Sequence, residues 1–175
     1  MKFRNGFVSN SSSSSFIICS KNKDEKFIKD RLAEFLQFNK ASTGKVFADD
    51  DDVDFLAHIM ADEYLDPHGD AEIERYYSWD EYVNYLRNGY HYESEEDFKK
   101  CLKDYVDIET LFKEGFIVFE GSMPDYGLGG SAMQYFLRSR EYCRIENDFG
   151  FIQCDGGDDP DIGKALRERK ERERQ

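Results

Sequence analysis

No run in this chain approaches the ~18 consecutive apolar residues of a membrane span, and the N-terminus lacks the continuous apolar stretch of a signal peptide. The sequence-based expectation is a soluble, non-exported, cytoplasmic protein. Cysteine is sparse: Cys19, Cys101, Cys143 and Cys154 never stand in C-x-x-C spacing, which argues against a zinc ribbon or a thioredoxin-like redox site. The three histidines, His58, His68 and His91, form no H-E-x-x-H pair, and they read as unrelated core or surface side chains. No nucleophile, base and orienting acid occur at a recognisable spacing, so no catalytic residue is assigned. Positive charge is also short. The 24 Lys and Arg are outnumbered by 37 Asp and Glu, giving a net charge of −13, a field that repels nucleic-acid phosphates and attracts basic partners.

That deficit is concentrated. Residues 1–45 hold 9 basic and 4 acidic side chains, net +5; residues 46–110 hold 5 and 20, net −15; residues 111–175 hold 10 and 13, net −3. The chain has 15 Phe, 11 Tyr and one Trp, so an aromatic-rich core is expected, and its 175 residues suffice for one domain.

The chain opens MKFRNGFVSNSSSSSFIICS. Asn5-Gly6 between apolar-containing segments is a hairpin signal, because both central residues of a type I′ turn need positive φ. Phe16-Ile17-Ile18-Cys19 has the composition of a strand buried on both faces. Ser11, Ser12, Ser13, Ser14 and Ser15 between them read as a tethered loop, either a solvated linker or an anion-binding or modification site. The string Asn5-Gly6-Phe7-Val8-Ser9-Asn10, the serine run and Phe16 resembles the opening of a scattered set of small, functionally uncharacterised proteins of bacteria and their phages. The resemblance covers about the first 18 residues and implies a bacterial or phage source, with no activity attached.

Further on, Phe27, Ile28, Arg31, Leu32, Phe35 and Leu36 make one stripe of a helix over residues 24–39. Asp49 to Asp52 lead into a second helix, where acidic side chains favour the positive end of the dipole. Leu65 to Asp70 read as a turn. Ser78 with Glu81 forms a capping box, Gly89 suits the end of that helix, and Ser94 with Asp97 starts another. Tyr76, Tyr77, Trp79, Tyr82, Tyr85, Tyr90 and Tyr92 exceed what one helix face can bury, and they are the candidate partner-binding residues, set against an aromatic-core alternative.

Glu114-Gly115 closes a helix before the strand Phe116 to Glu120. A glycine-containing loop over residues 121–130 then precedes Ser131, which caps Ala132 to Arg138. This strand, loop and helix order can cradle phosphate, although the lysine of a Walker loop is missing. Cys143 to Glu146 and Phe151 to Cys154 read as a hairpin with a four-residue loop, which places Cys143 opposite Cys154 and opens the way to a bridge on oxidation. Asp155, Asp158, Asp159 and Asp161 are the candidate metal ligands, for Mg²⁺ or Ca²⁺, against a reading of Asp159 as helix cap with Pro160 behind it. Residues 161–175 read as a charged, solvated helix or tail.

The expected fold is a single α+β domain over residues 1–160, a small mainly antiparallel sheet covered by four to five helices, with an acidic, aromatic helical lobe over 46–110. The expected function is a non-enzymatic protein-binding module, with no cofactor, acting on a basic or DNA-handling partner, one form of which is DNA mimicry. The alternatives are a metal-dependent enzyme acting on a phosphorylated substrate, with the Gly127 to Ser131 loop on the phosphate, and a structural component of a phage particle.

Overall fold

The apolar run Phe16 to Cys19 lies at the centre of the molecule. In the computed structural model, which describes residues 13–36, 50–66, 68–69, 71–124, 142–154 and 160–175, it belongs to β1 (Ser13–Ser20), the middle strand of a five-stranded sheet. The others are β2 (Glu72–Tyr76), β3 (Ile117–Pro124), β4 (Tyr142–Ile145) and β5 (Phe149–Cys154), in the order β2-β3-β1-β5-β4 with every pairing antiparallel. Successive side chains of a strand point to opposite faces. Phe16 and Ile18 therefore enter one core, and Ile17 and Cys19 the other, all at most 5% exposed.

Each face is covered by helices. On the Phe16 side lie α1 (Glu25–Phe35) and α2 (Asp50–Leu65), which contribute Ile28, Leu32, Phe35, Met60, Ala61 and Tyr64. On the Ile17 side lie α3 (Trp79–Gly89), α4 (Glu95–Leu102), α5 (Val106–Lys113) and α6 (Ile162–Arg172), contributing Tyr82, Leu86, Phe98, Ile108, Leu111 and Leu166. The fold is thus a single α+β domain, as its strand and helix patterns imply. Among the described residues, no helix is long and apolar enough to cross a membrane.

Local signals set the helix starts. Asp24, Ser78 and Ser94 accept hydrogen bonds from the backbone N–H of Phe27, Glu81 and Asp97. Glu81 completes its cap by accepting from the Tyr77 N–H at 2.7 Å. After α5, Gly115 takes φ +88°, where a side chain would be strained, and the Phe116 N–H bonds back to the Leu111 carbonyl.

Several expectations are corrected. Ser13 to Ser15 are strand and not loop: Ser14 faces Met123, and Ser15 lies between Ser122 and Cys154. Serine has no side chain that forbids a strand, and two neighbouring strands satisfy its backbone. Gly121 to Pro124 likewise extend β3. The turn at the end of the sheet is tighter than read. The Glu146 N–H bonds to the Phe149 carbonyl at 2.7 Å, which brings Ile152, not Cys154, opposite Cys143. The cap of α6 is Asp161, which accepts from the Lys164 N–H at 2.7 Å, so Pro160 precedes the cap. That helix is no solvated tail, since Ile162, Ala165, Leu166 and Arg169 are buried in the second core. The acidic stretch 46–110 is not one lobe either: α2 packs beside α1, and α3 to α5 pack across the sheet. The expected Asn5-Gly6 turn and the helix after Ser131 lie outside the described residues.

Gly121 marks how closely β2 and Phe16 approach β3. A Cβ there would stand 2.5 Å from Phe16 Cζ and closer still to the Glu72 carbonyl oxygen. Gly121→Ala is therefore expected to cost on the order of 1–3 kcal/mol, seen as a lowered urea midpoint. An unchanged midpoint would contradict this packing.

Candidate interaction surface on the acidic edge

Among the described residues β2 is an outer strand, and natural sheets protect such strands with charge. Glu72 and Glu74 are exposed and project on the α3 side of the sheet. In register, Glu74 lies directly across from Glu120 of β3, and like charges so placed are unfavourable. Glu120 is 9% exposed and accepts a hydrogen bond from the Tyr82 hydroxyl at 2.7 Å. A buried carboxylate needs such donors, because desolvation penalises its charge.

Tyr82 is the hub of the aromatic cluster. Trp79 stacks on it at 5.8 Å and 18°, Tyr76 meets it edge-on at 4.8 Å, and Tyr85 tilts against Tyr76 at 5.2 Å. Offset or edge-on contacts of this kind add stability beyond area burial. The expected partner-binding residues thus divide. Tyr76 and Tyr82 are buried and belong to the core, which removes them from any contact surface; Trp79, Tyr90 and Tyr92 are half-buried; Tyr77 and Tyr85 are 46% and 36% exposed. Lys23 already sits over the Tyr77 ring at 5.7 Å. Below this edge, Arg87 donates to both oxygens of Glu95 at 2.8 and 3.1 Å and lies 4.2 Å over the Phe98 ring. Asp80 and Glu81 open α3, and Glu93 and Glu96 flank the start of α4, all exposed.

Burial and the neighbouring charges set the chemistry of the tyrosines. Burial first, then the Glu120 charge, push the hydroxyls of Tyr76 and Tyr82 far above the ordinary tyrosine range. Burial does the same to Tyr64, against the opposing effect of its 2.5 Å bond to Gln153. The Tyr76 hydroxyl is buried beside that of Tyr85, and the interaction between the two raises it further.

The remaining candidates are dispersed. Ser14 and Ser15 are buried in β1, at 0% and 1% exposure, and so are not an accessible modification site; Ser11, Ser12 and the side chain of Ser13 lie outside the described residues. Asp161 caps α6, while Asp155, Asp158 and Asp159 and the Gly127 to Ser131 loop lie outside the described residues. Among the described residues, no group of three or more His, Cys, Asp or Glu is placed to hold a metal ion. His58 is exposed on α2, with Nε2 3.9 Å from Asp30; His68 is exposed on a turn and His91 is exposed in the connection between α3 and α4. The four cysteines are free thiols. Cys143 donates to the Asp161 carbonyl at 3.6 Å, and burial pushes its thiol up to about 11.

The residues that sequence reasoning missed are Glu74 and Glu120. The one available signal was a carboxylate closing the apolar run Phe116 to Phe119, and its meaning depends on a register that only the folded sheet supplies. No protein-family model, curated protein or solved structure matches the chain.

A tyrosine whose folded pKa lies above its unfolded value of about 10 stabilises the fold fully below that pH and ceases to do so as pH rises through the folded value. Alkaline titration should therefore show Tyr64, Tyr76 and Tyr82 ionising only together with unfolding. The expected observation is a late step in near-ultraviolet absorbance coincident with loss of far-ultraviolet circular dichroism. Ionisation of all 11 tyrosines with the circular dichroism intact would contradict their burial.

Proposed function

We propose that the protein is a non-enzymatic binding module of bacterial or phage origin that docks a basic partner protein on the β2 and α3 edge. The observation that carries this reading is a juxtaposition. The exposed carboxylates Glu72 and Glu74 lie on one strand that leads into the exposed ring of Tyr77, and the exposed ring of Tyr85 is held in place by the buried Tyr76 and Tyr82.

Each part has a physical role. Rigid rings with a polar tip give contact area at small entropic cost, and carboxylates around them steer a cationic partner and fix its register. Lys23 over Tyr77 shows within the molecule the kind of contact a partner's lysine would make. Among the described residues β2 is an edge strand, whose backbone an extended segment can join. A partner that handles nucleic acid is one source of such a basic surface, and an array of carboxylates then stands where phosphates would.

Fluorescence anisotropy with a labelled lysine-rich peptide tests this. Binding should weaken steeply with added salt, and the double variant Glu72→Lys, Glu74→Lys should lose about tenfold in affinity, about 1.4 kcal/mol. Equal affinity at low and high salt, or in the double variant, would overturn the assignment to this edge.

A further inference from the structure

The turn that carries β1 into α1 is closed around Lys23. The Ser20 hydroxyl accepts from the Asn22 N–H at 3.1 Å and donates to the Asn22 carbonyl at 2.7 Å, and the Asn22 side chain accepts from the Asp24 N–H at 2.9 Å. Asp24 then caps α1. These local bonds fix the backbone from which the exposed Lys23 projects. Its Nζ lies 5.7 Å from the centroid of the Tyr77 ring. Tyr77 is also held at its backbone: it follows β2 directly, and its N–H donates to the Glu81 carboxylate at 2.7 Å.

Two comparisons within the molecule set Lys23 apart. Lys21, two residues earlier, lies 4.9 Å over Phe116, a ring only 2% exposed, so it covers the margin of the second core. Tyr77 is 46% exposed and keeps open surface with Lys23 in place. Lys26, Lys29, Lys100 and Lys113 pair with carboxylates, whereas Lys23 meets a ring. It does so close to the ~6 Å limit of a cation–π contact, at an exposed position where the attraction is weak and readily exchanged.

We propose that the Tyr77 ring is the seat of a lysine side chain from the partner, and that Lys23 is an intramolecular competitor that must leave it. The inference rests on the reading that this edge binds a basic partner, and it names one contact of that complex and what opposes it. The chemistry is the same for both occupants: an ammonium drawn to the negative face of an aromatic ring. The Glu81 carboxylate, held at the Tyr77 backbone, adds to that attraction. A site occupied from within binds its ligand in proportion to the fraction of time it is empty, so removing the internal occupant raises the apparent affinity. Lys23 thereby sets a threshold on which cationic segments the edge retains.

The test is fluorescence anisotropy with a labelled lysine-rich peptide, run on the full chain and on Lys23→Met, Tyr77→Leu and the double variant. Both positions are exposed, and Tyr77→Leu keeps the backbone N–H that Glu81 accepts. Lys23→Met should bind about threefold more tightly, the scale of an exposed cation–π contact, and Tyr77→Leu should bind more weakly than the unaltered chain. The gain from Lys23→Met should vanish in the Tyr77→Leu background, because the effect of removing a positive charge alone would persist there. An upfield ring-current shift of the Lys23 Cε protons, present in the free chain and lost on adding peptide, reports the displacement itself. Unchanged affinity in Lys23→Met, or the same gain with Tyr77 replaced, would overturn the competition and leave the reading of the edge in place. No binding to any of these chains would remove both.

Discussion

Burial of β1 from both sides is the constraint on which everything else depends. An antiparallel sheet of this size commonly leaves one face to water, but here Phe16 and Ile18 on one side and Ile17 and Cys19 on the other all need cover. Each apolar side chain withdrawn from water contributes roughly 1.5–3 kcal/mol, and the demand is met by helices on both faces. Because β1 pairs with β3 and β5 together, the strands farthest from it, β2 and β4, become the edges.

The two edges differ in how their charges are paired. On the β2 side, exposed glutamates and tyrosines lie over a buried carboxylate, and the aromatic hub at Tyr82 ties α3 to Glu120. On the β4 side, Arg31, Arg144, Arg169 and Arg172 gather the turn between β4 and β5, α1 and α6 into one network.

How much of this was legible in the sequence follows from how local each signal is. The run Phe16 to Cys19 announces a doubly buried strand by composition alone. The caps at Ser78 and Ser94 are contacts three residues long, and both hold; that of Asp24 was not read, though it is equally local. β2 was not legible, because Glu72, Glu74 and Arg75 look like solvated loop until an edge position gives them a reason. The register of β4 with β5 turned on a single hydrogen bond, from the Glu146 N–H to the Phe149 carbonyl, and counting residues between apolar runs does not reveal it. Burial of Tyr82 and of Arg169 depends on what packs against them from distant parts of the chain. Arg169 in particular hides an apolar stem inside a charge-alternating tail sequence.

β1 is held on both faces and along both edges, and it is expected to be the most deeply protected element. Native-state hydrogen exchange measures this directly, because the amides of a strand that opens only with the whole molecule exchange at the global unfolding free energy. Phe16, Ile17, Ile18 and Cys19 are expected to be among the slowest amides in the chain, slower than those of β2, with the denaturant dependence of global unfolding. Exchange of these four amides by local opening, at rates matching the edge strands, would contradict the account.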